Sequence, residues 1–174
     1  YKLYINGELA DVGPGRGEAP VFEGDGKFRS LPYMTLDLTK QLSAGSVHTI
    51  ALQTMHAGGP KAIMQLTLRH SDGTVTTTGT DATWMGFNGD AHRKPGKPQH
   101  GGSSGTGFLE YIDARGEPVG WKSTGFKAGA GWANAVATAP SSGDIANLHA
   151  KMEPPISVKD LAIACLLYTS PSPR

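Results

Sequence analysis

The sequence has little that would mark a disulfide-bonded, nucleic-acid-binding or membrane-spanning protein. It contains one cysteine in 174 residues, which excludes an intrachain disulfide. Lys and Arg number 16 against 15 Asp and Glu, so the basic excess that is typical of nucleic-acid-binding domains is absent. No run approaches the roughly 20 apolar residues that a transmembrane helix requires. We therefore expect neither nucleic acid nor a membrane as a partner.

A leader segment and helix-type periodicity are also lacking. The chain begins at Tyr1 without a methionine, and no charged segment followed by an apolar one comes after it. We expect that processing has removed the natural start or that the sequence is a fragment. No stretch repeats apolar residues at the spacing of an amphipathic helix over three or more turns. The fold is therefore expected to contain strands and turns.

Two hairpins are predicted from alternation and turn chemistry. In "YKLYINGELA" the apolar residues alternate with polar ones up to Asn6-Gly7, and Asn-Gly supplies the positive φ angles that a two-residue turn requires. In "AIMQLTLRHSDGTVTTTGT" a similar alternation turns at 71–73 and returns through a β-branched run.

Further strands are predicted at 33–38, 46–53, 108–114 and 132–137, the last of these closing the fold. In 46–53 we expect Val47, His48, Ile50 and Leu52 in or near a buried face. A long loop rich in Gly and Pro covers 88–107. Short strands at roughly ten-residue spacing predict one all-β domain, an antiparallel, jelly-roll-like β-sandwich with this loop.

The densest charged cluster contains Glu110, Asp113, Arg115 and Glu117. On a strand, Tyr111 and Asp113 would share one face, and Glu110 would lie on the other. A fixed Arg–carboxylate pair that holds a corner is the commoner arrangement, while a sugar or calcium site is the alternative. These residues are candidates for carbohydrate binding or for a domain interface.

Tryptophan gives a second set of candidates. Trp84, Trp121 and Trp132 are expected to pack in a core, or to offer a stacking surface to a sugar ring. The "GGSSG" segment lacks the strand and helix that must flank a hydrolase nucleophile. His92 and His100 have no acidic or thiol neighbour at metal-ligand spacing. No catalytic residue and no metal ligand is therefore assigned.

Five segments together resemble the N-terminal β-sandwich domain of bacterial-type α-L-rhamnosidases of glycoside hydrolase family 78. They are "YKLYINGELADVGPGR", "YMTLDLTKQLSAGSVHTIAL", "LTLRHSDGTVTTTGTDATW", "EYIDARGEPVGWKSTGFKAGAGWANA" and "MEPPISV". The fourth is the most specific, because it is similar to the family's Glu-x-x-Asp-Ala-Arg followed by Gly-Trp, Gly-Phe and a closing Trp. The similarity runs in order from Tyr1 to about Leu161.

The resemblance implies a non-catalytic accessory domain whose partner is the protein's own downstream catalytic domain. In the family, a carboxylic acid and a carboxylate base in an (α/α)₆ barrel hydrolyse terminal α-L-rhamnosides with inversion. No part of such a barrel lies in this sequence, so this chain alone is not expected to be an enzyme.

An autonomous carbohydrate-binding module for rhamnose-type glycans is the alternative. Some family members bind terminal rhamnose with calcium through a loop with an acidic or amide pair and an aromatic stretch. At the matching place after Leu52 this chain reads "QTMHAGGP", with neither Asp nor Trp. The candidate contacts are Trp84, Trp121, Asp113 and Arg115. No cofactor is assigned, and calcium is kept as the open alternative.

The last ten residues, "CLLYTSPSPR", differ from the rest of the chain. They equal the in-frame translation of a transposase-type sequencing adapter, so we interpret 165–174 as a non-native tail that contains the single cysteine. The expected organisation is a β-sandwich at 1–152, the start of a linker at 153–164, and the tail.

Overall fold

The computed structural model describes residues 1–13, 21–22, 28–54, 61–89, 113–138 and 148–151. These residues form ten strands and a three-residue 3₁₀ helix at Ala114–Gly116. The strands are β1 Lys2–Ile5, β2 Glu8–Val12, β3 Val21–Phe22, β4 Phe28–Tyr33, β5 Ile50–Gln53, β6 Gln65–Arg69, β7 Val75–Gly79, β8 Met85–Phe87, β9 Trp132–Asn134 and β10 Leu148–Ala150. The predicted long loop lies outside the described residues from position 90 onward.

The sheets are small, and nearly all their pairings are antiparallel. Strand orders are β2-β1-β5, β10-β4-β3, β6-β7 and β8-β9. The pairing of β10 with β4 is parallel, which requires a long connection between them. The all-β sandwich class predicted from the sequence is confirmed, with this one parallel pair as a difference from a purely antiparallel arrangement.

The first hairpin forms as its turn chemistry predicts. Asn6 and Gly7 both have positive φ, at 54° and 94°, and Ile5 pairs with Glu8 across them. Positive φ at both central residues matches the right-handed twist of the flanking strands. The turn therefore fixes the register of β1 against β2.

The most buried apolar side chains of the described chain lie on β1 and β5. Leu3, Ile5 and Ala51 are at most 7 % exposed. Leu3 pairs with Leu52 and Ile5 with Ile50, so these four side chains share one face. Ala51 pairs with Tyr4 and lies on the other face. Burial of a Leu or Ile side chain contributes about 1.5–3 kcal/mol, which makes this strand pair the main source of stability among the described strands.

Three short turns use the same Asp-x-Thr sequence. Asp37, Asp72 and Asp81 each accept a hydrogen bond from the backbone N–H of the Thr two residues later, at 2.8–2.9 Å. The hydroxyl of the same Thr donates to the same Oδ1 at 2.5–2.7 Å. Such turns form locally, which explains how the second hairpin closes between β6 and β7.

Acid is expected to weaken these turns. The hydrogen bonds from Thr hold the pKa of Asp37, Asp72 and Asp81 below the ordinary 3.8. A carboxyl group whose pKa is lower in the folded chain stabilises the fold above its unfolded pKa, and that contribution is lost as pH falls through the folded pKa. The contribution of these three groups to the urea midpoint should therefore be constant above about pH 5 and fall as pH drops below 3.8.

The matched control for this pH dependence is Asp72→Asn, which keeps an oxygen acceptor but has no carboxyl group to titrate. Its midpoint should fall less steeply between neutral and acid pH than that of the unaltered chain. A midpoint that rises as pH falls would contradict the assignment.

Gly79, at the end of β7, is required by a close backbone approach. A Cβ placed there would lie 2.8 Å from the carbonyl oxygen of Met64, which already accepts a hydrogen bond from Thr80 N at 3.0 Å. Gly79→Ala should therefore destabilise the fold by about 1–3 kcal/mol in urea unfolding. The control is Gly86→Ala, whose Cβ would make an ordinary contact 3.8 Å from Ala133 O. Equal costs for the two substitutions would count against this explanation.

Two strand predictions in the first half of the chain are wrong in their bounds. The strand predicted at 33–38 shares only Tyr33 with β4, and residues 34–38 form no strand; Asp37 closes a turn with Thr39 instead. The strand predicted at 46–53 begins only at Ile50, and Val47 is 81 % exposed. The backbone N–H of Thr49 donates to the Asn6 side chain, so it is not available to a β ladder.

The closing strand is also shorter than predicted. It covers Trp132–Asn134, and it is not the last strand, because β10 follows it and pairs with β4. Such a pairing between distant segments has no local sequence signal.

Candidate functional site

The predicted strand at 108–114 does not continue through its last two residues. Asp113 caps the 3₁₀ helix Ala114–Gly116, and its Oδ1 accepts a hydrogen bond from Arg115 N at 3.1 Å. The candidates Glu110 and Tyr111 lie outside the described residues. Asp113 therefore caps a short helix and does not take part in the alternation between strand faces that the sequence predicts.

Asp113 and Arg115 form a two-pronged ion pair. Arg115 Nε donates to Asp113 Oδ1 at 2.8 Å, and Nη2 donates to Oδ2 at 2.7 Å. The side chains are 52 % and 90 % exposed, and the bonds from Arg115 lower the pKa of the Asp113 carboxyl group. Both groups are satisfied by each other, which fits the predicted role of holding a corner.

Trp121 lies over the next turn and is held by Glu117. Its indole Nε1 donates to Glu117 Oε1 at 2.8 Å. Lys122 Nζ lies 3.5 Å from the same oxygen, and both charged side chains are about two-thirds buried or more. The turn between Glu117 and Trp121 therefore ends in a hydrogen bond and an ion pair that share one acceptor.

Tyr4, on β1, completes this group. Its ring meets Trp121 edge to face at a centroid distance of 5.7 Å and an angle of 76°. Lys122 Nζ lies 4.6 Å from the Tyr4 ring centre and 5.5 Å from that of Trp121. Such cation–π contacts contribute about 0.5–1 kcal/mol at partly exposed positions. We call Tyr4, Glu117, Trp121 and Lys122 the Trp121 cluster.

Glu117 and Trp121 could be identified from the sequence, whereas Tyr4 and Lys122 could not. Their contacts join β1 to a segment more than a hundred positions later, and no local pattern indicates such a pairing. The alternation in β1 did show that Tyr4 faces away from Leu3 and Ile5, which are buried. The alternation therefore indicated that Tyr4 contacts other residues on the opposite face of the sheet.

The same segment is fixed to the first hairpin turn. Thr124 Oγ1 donates to Asn6 Oδ1 at 3.3 Å, and a Cβ on Gly7 would lie 3.6 Å from Ser123 Oγ. The hairpin turn therefore positions the residues that follow the Trp121 cluster.

An open cavity of about 250 Å³ lies beside the Trp121 cluster. It is lined by Ala114, Glu117, Pro118, Val119, Gly120, Trp121 and Lys122. Val119, at the tip of the turn, is 95 % exposed. The cavity thus combines an aromatic ring, an apolar tip and a charged pair in one surface.

Trp84 belongs to a different part of the described chain. Its Nε1 donates to Gly79 O at 3.2 Å, and its own carbonyl oxygen accepts from Ala135 N at 2.8 Å. Trp132 packs between Phe87 and Phe126, at centroid distances of 5.4 and 5.0 Å. Trp132 therefore packs in an aromatic group, while the indole of Trp84 is held by a backbone carbonyl oxygen.

The described ranges contain no group of three or more His, Cys, Asp or Glu side chains that could hold a metal ion. They also contain no helix long and apolar enough to cross a membrane.

Comparison with known proteins adds one finding. A family model described as the alpha-L-rhamnosidase N-terminal domain matches residues 48–160, which is well over half of the chain. No curated protein and no solved structure matches the chain. The match covers the turn between Glu117 and Trp121 but not the first hairpin. For the first hairpin, the similarity to the family stays a prediction. The chain belongs to the α-L-rhamnosidase N-terminal domain family.

Proposed function

We propose that this chain is a non-catalytic accessory domain of a longer α-L-rhamnosidase-like glycoside hydrolase. Residues 1–152 would form the accessory sandwich, and residues 153–164 would begin a linker to the catalytic barrel. The observation that carries the proposal is the family match across 48–160. The catalytic domain, acting on terminal α-L-rhamnosides, is the expected partner.

The charged groups of the candidate site support a role other than catalysis. A glycosidase general acid needs a carboxyl group whose pKa is raised. The pKa of Asp113 is instead lowered by Arg115, and Glu117 is engaged by Trp121 and Lys122. These contacts are those of side chains that hold a turn in place.

Packing against the catalytic domain can be tested in the protein extended beyond Leu161. Deleting residues 1–152 should lower the melting temperature of the catalytic domain, because a docked accessory domain stabilises the state that it binds. The control is Gly86→Ala in the same extended protein, because its Cβ makes only an ordinary contact 3.8 Å from Ala133 O and leaves the strands in place. An unchanged melting temperature after the deletion would contradict docking.

Sugar binding is the second candidate function, favoured by the cavity beside Trp121. It would take a rhamnose-type ring stacked on the indole, with Asp113 and Arg115 near the edge. Titration calorimetry with L-rhamnose, with and without calcium, separates the two functions. The accessory proposal expects no saturable heat at millimolar sugar. Saturable heat that disappears in Trp121→Ala but persists in Trp84→Phe would establish the sugar-binding alternative.

A further inference from the structure

The chain contains two Asn-Gly dipeptides, at Asn6-Gly7 and at Asn88-Gly89. In such a pair the backbone nitrogen of Gly can attack the side-chain carboxamide carbon of Asn, because Gly has no side chain to block the approach. The attack requires the amide to rotate toward that nitrogen, to within about 3–3.5 Å. The surroundings of the amide therefore decide whether the reaction proceeds.

The Asn6 amide is held at both of its polar atoms. Oδ1 accepts from Thr49 N at 3.0 Å and from Thr124 Oγ1 at 3.3 Å. Nδ2 donates to Gln41 O at 3.2 Å and lies 3.0 Å from His48 Nδ1. All four partners are at least 35 positions away in sequence. The amide can rotate only when the hairpin turn separates from both neighbouring segments.

The backbone at this turn is restrained as well. Asn6 N donates to Thr49 O at 2.9 Å, and Gly7 lies close to Ser123 and to Lys122 O. Opening the turn therefore breaks a backbone hydrogen bond in addition to those of the side chain. Such an opening is a sub-global unfolding event, and its population is small in the folded state.

We propose that Asn6 is a deamidation site that the fold keeps closed, and that the isoaspartate formed there after unfolding prevents the chain from refolding. The inference is independent of the proposed function, since it depends only on the turn and its contacts.

The reaction is balanced with water as the only co-reactant. The backbone nitrogen of Gly7 loses its proton to solvent base and bonds to Cγ of Asn6. The bond from Cγ to Nδ2 breaks, and ammonia leaves with a proton from water. A cyclic imide results, which water opens to aspartate or to isoaspartate.

Both products damage the turn. Aspartate at position 6 keeps the acceptor for Thr49 N but has no donor for Gln41 O or His48 Nδ1. Isoaspartate adds a carbon atom to the backbone between Ile5 and Gly7, so the two-residue turn cannot restore the pairing of Ile5 with Glu8. Aspartate therefore weakens the turn without blocking it, whereas unfolding becomes irreversible as isoaspartate accumulates.

The test is to incubate the full chain at mildly alkaline pH, folded or in guanidinium chloride, and to map the peptides by mass spectrometry. Conversion at Asn6 should be more than about tenfold slower in the folded chain than in the denaturant. Asn88-Gly89 in the denaturant gives the rate of an unrestrained Asn-Gly pair. Equal Asn6 rates in the folded and denatured chain would overturn the proposal.

The second readout is recovery of the folded chain after dilution from denaturant. Recovery should fall in step with the isoaspartate content at position 6, in the unaltered chain and in the matched control Asn88→Gly. Asn6→Gly has no amide to lose at the turn, so its recovery should not decline over the same incubation. If the recovery of Asn6→Gly declined as fast as that of the unaltered chain, the link between the reaction at Asn6 and refolding would be overturned. If Asn6→Gly does not fold, Asn88→Gly decides the link, because recovery that stays constant while isoaspartate accumulates at position 6 would overturn it.

Discussion

Asn6→Ala is expected to destabilise the fold by about 3 kcal/mol in urea unfolding. The substitution removes an amide that bonds Thr49 N, Thr124 Oγ1, Gln41 O and His48. It also places alanine at a φ of 54°, and alanine has no side-chain hydrogen bond that would offset the steric cost of this conformation. The first effect contributes roughly 2 kcal/mol and the second about 1 kcal/mol.

Two variants at the same position separate these effects. Asn6→Gly loses the bonds but tolerates the positive φ, so it should cost about 1 kcal/mol less than alanine. Asn6→Asp keeps the acceptor for Thr49 and Thr124 but loses both donors. If the alanine and glycine variants were both as stable as the unaltered chain, the contacts of Asn6 would not stabilise the turn against the neighbouring segments.

Trp121→Ala is expected to lower the free energy of unfolding by about 2 kcal/mol. This is less than the roughly 3–5 kcal/mol expected for a fully buried tryptophan, because the ring is only half-buried. The substitution removes the edge contact with Tyr4 and leaves Glu117 without its indole donor. It also removes one of the two rings beside Lys122. The measurement is the urea midpoint at neutral pH, with near-ultraviolet circular dichroism to report on Tyr4 packing.

The matched controls for Trp121 alter one contact at a time. Trp121→Phe keeps a ring beside Tyr4 and loses the Nε1 donor, so about 1 kcal/mol is expected. Glu117→Gln keeps an oxygen for the indole and loses the ion pair with Lys122, with a cost below about 1 kcal/mol. A Trp121→Ala variant as stable as the unaltered chain would mean that the ring does not hold the domain together. The indole would then be available to a ligand.

Much of the β-structure could be predicted because its determinants are local. Asn6-Gly7 and Asp72-Gly73 set their own turns, and the flanking alternation supplies the strands. The pairing of β10 with β4 could not be predicted, since it joins segments that are far apart and share no turn.

The segment 33–38 shows why alternation alone is insufficient. Met34, Leu36 and Leu38 are half-buried, while Thr35 and Asp37 are exposed, so the period of two is present in the burial. The segment after Tyr33 nevertheless has no strand pairing within the described part of the chain. An alternating pattern predicts which side chains are buried, but a strand also needs a neighbour for its backbone groups.

The candidate site was predicted in part. Asp113 and Arg115 were expected on a strand, and they instead form an ion pair within one capped 3₁₀ turn. Trp121 and Trp84 were grouped by residue type, yet the structure gives them different partners, Glu117 with Tyr4 in one case and Gly79 in the other. Residue type indicates what a tryptophan can do, and only the fold brings its partners to it.

The proposed role of this chain is that of an accessory domain in a longer rhamnoside-cleaving enzyme. The most direct test is to sequence outward from the codon of Leu161 in the source DNA, express the extended protein, and assay a chromogenic aryl α-L-rhamnoside beside the present chain. The account expects a continuous reading frame into a helical barrel with paired acidic residues, with hydrolysis by the extended protein and none by this chain alone. A stop codon soon after Leu161, or an extension without such a barrel, would contradict it.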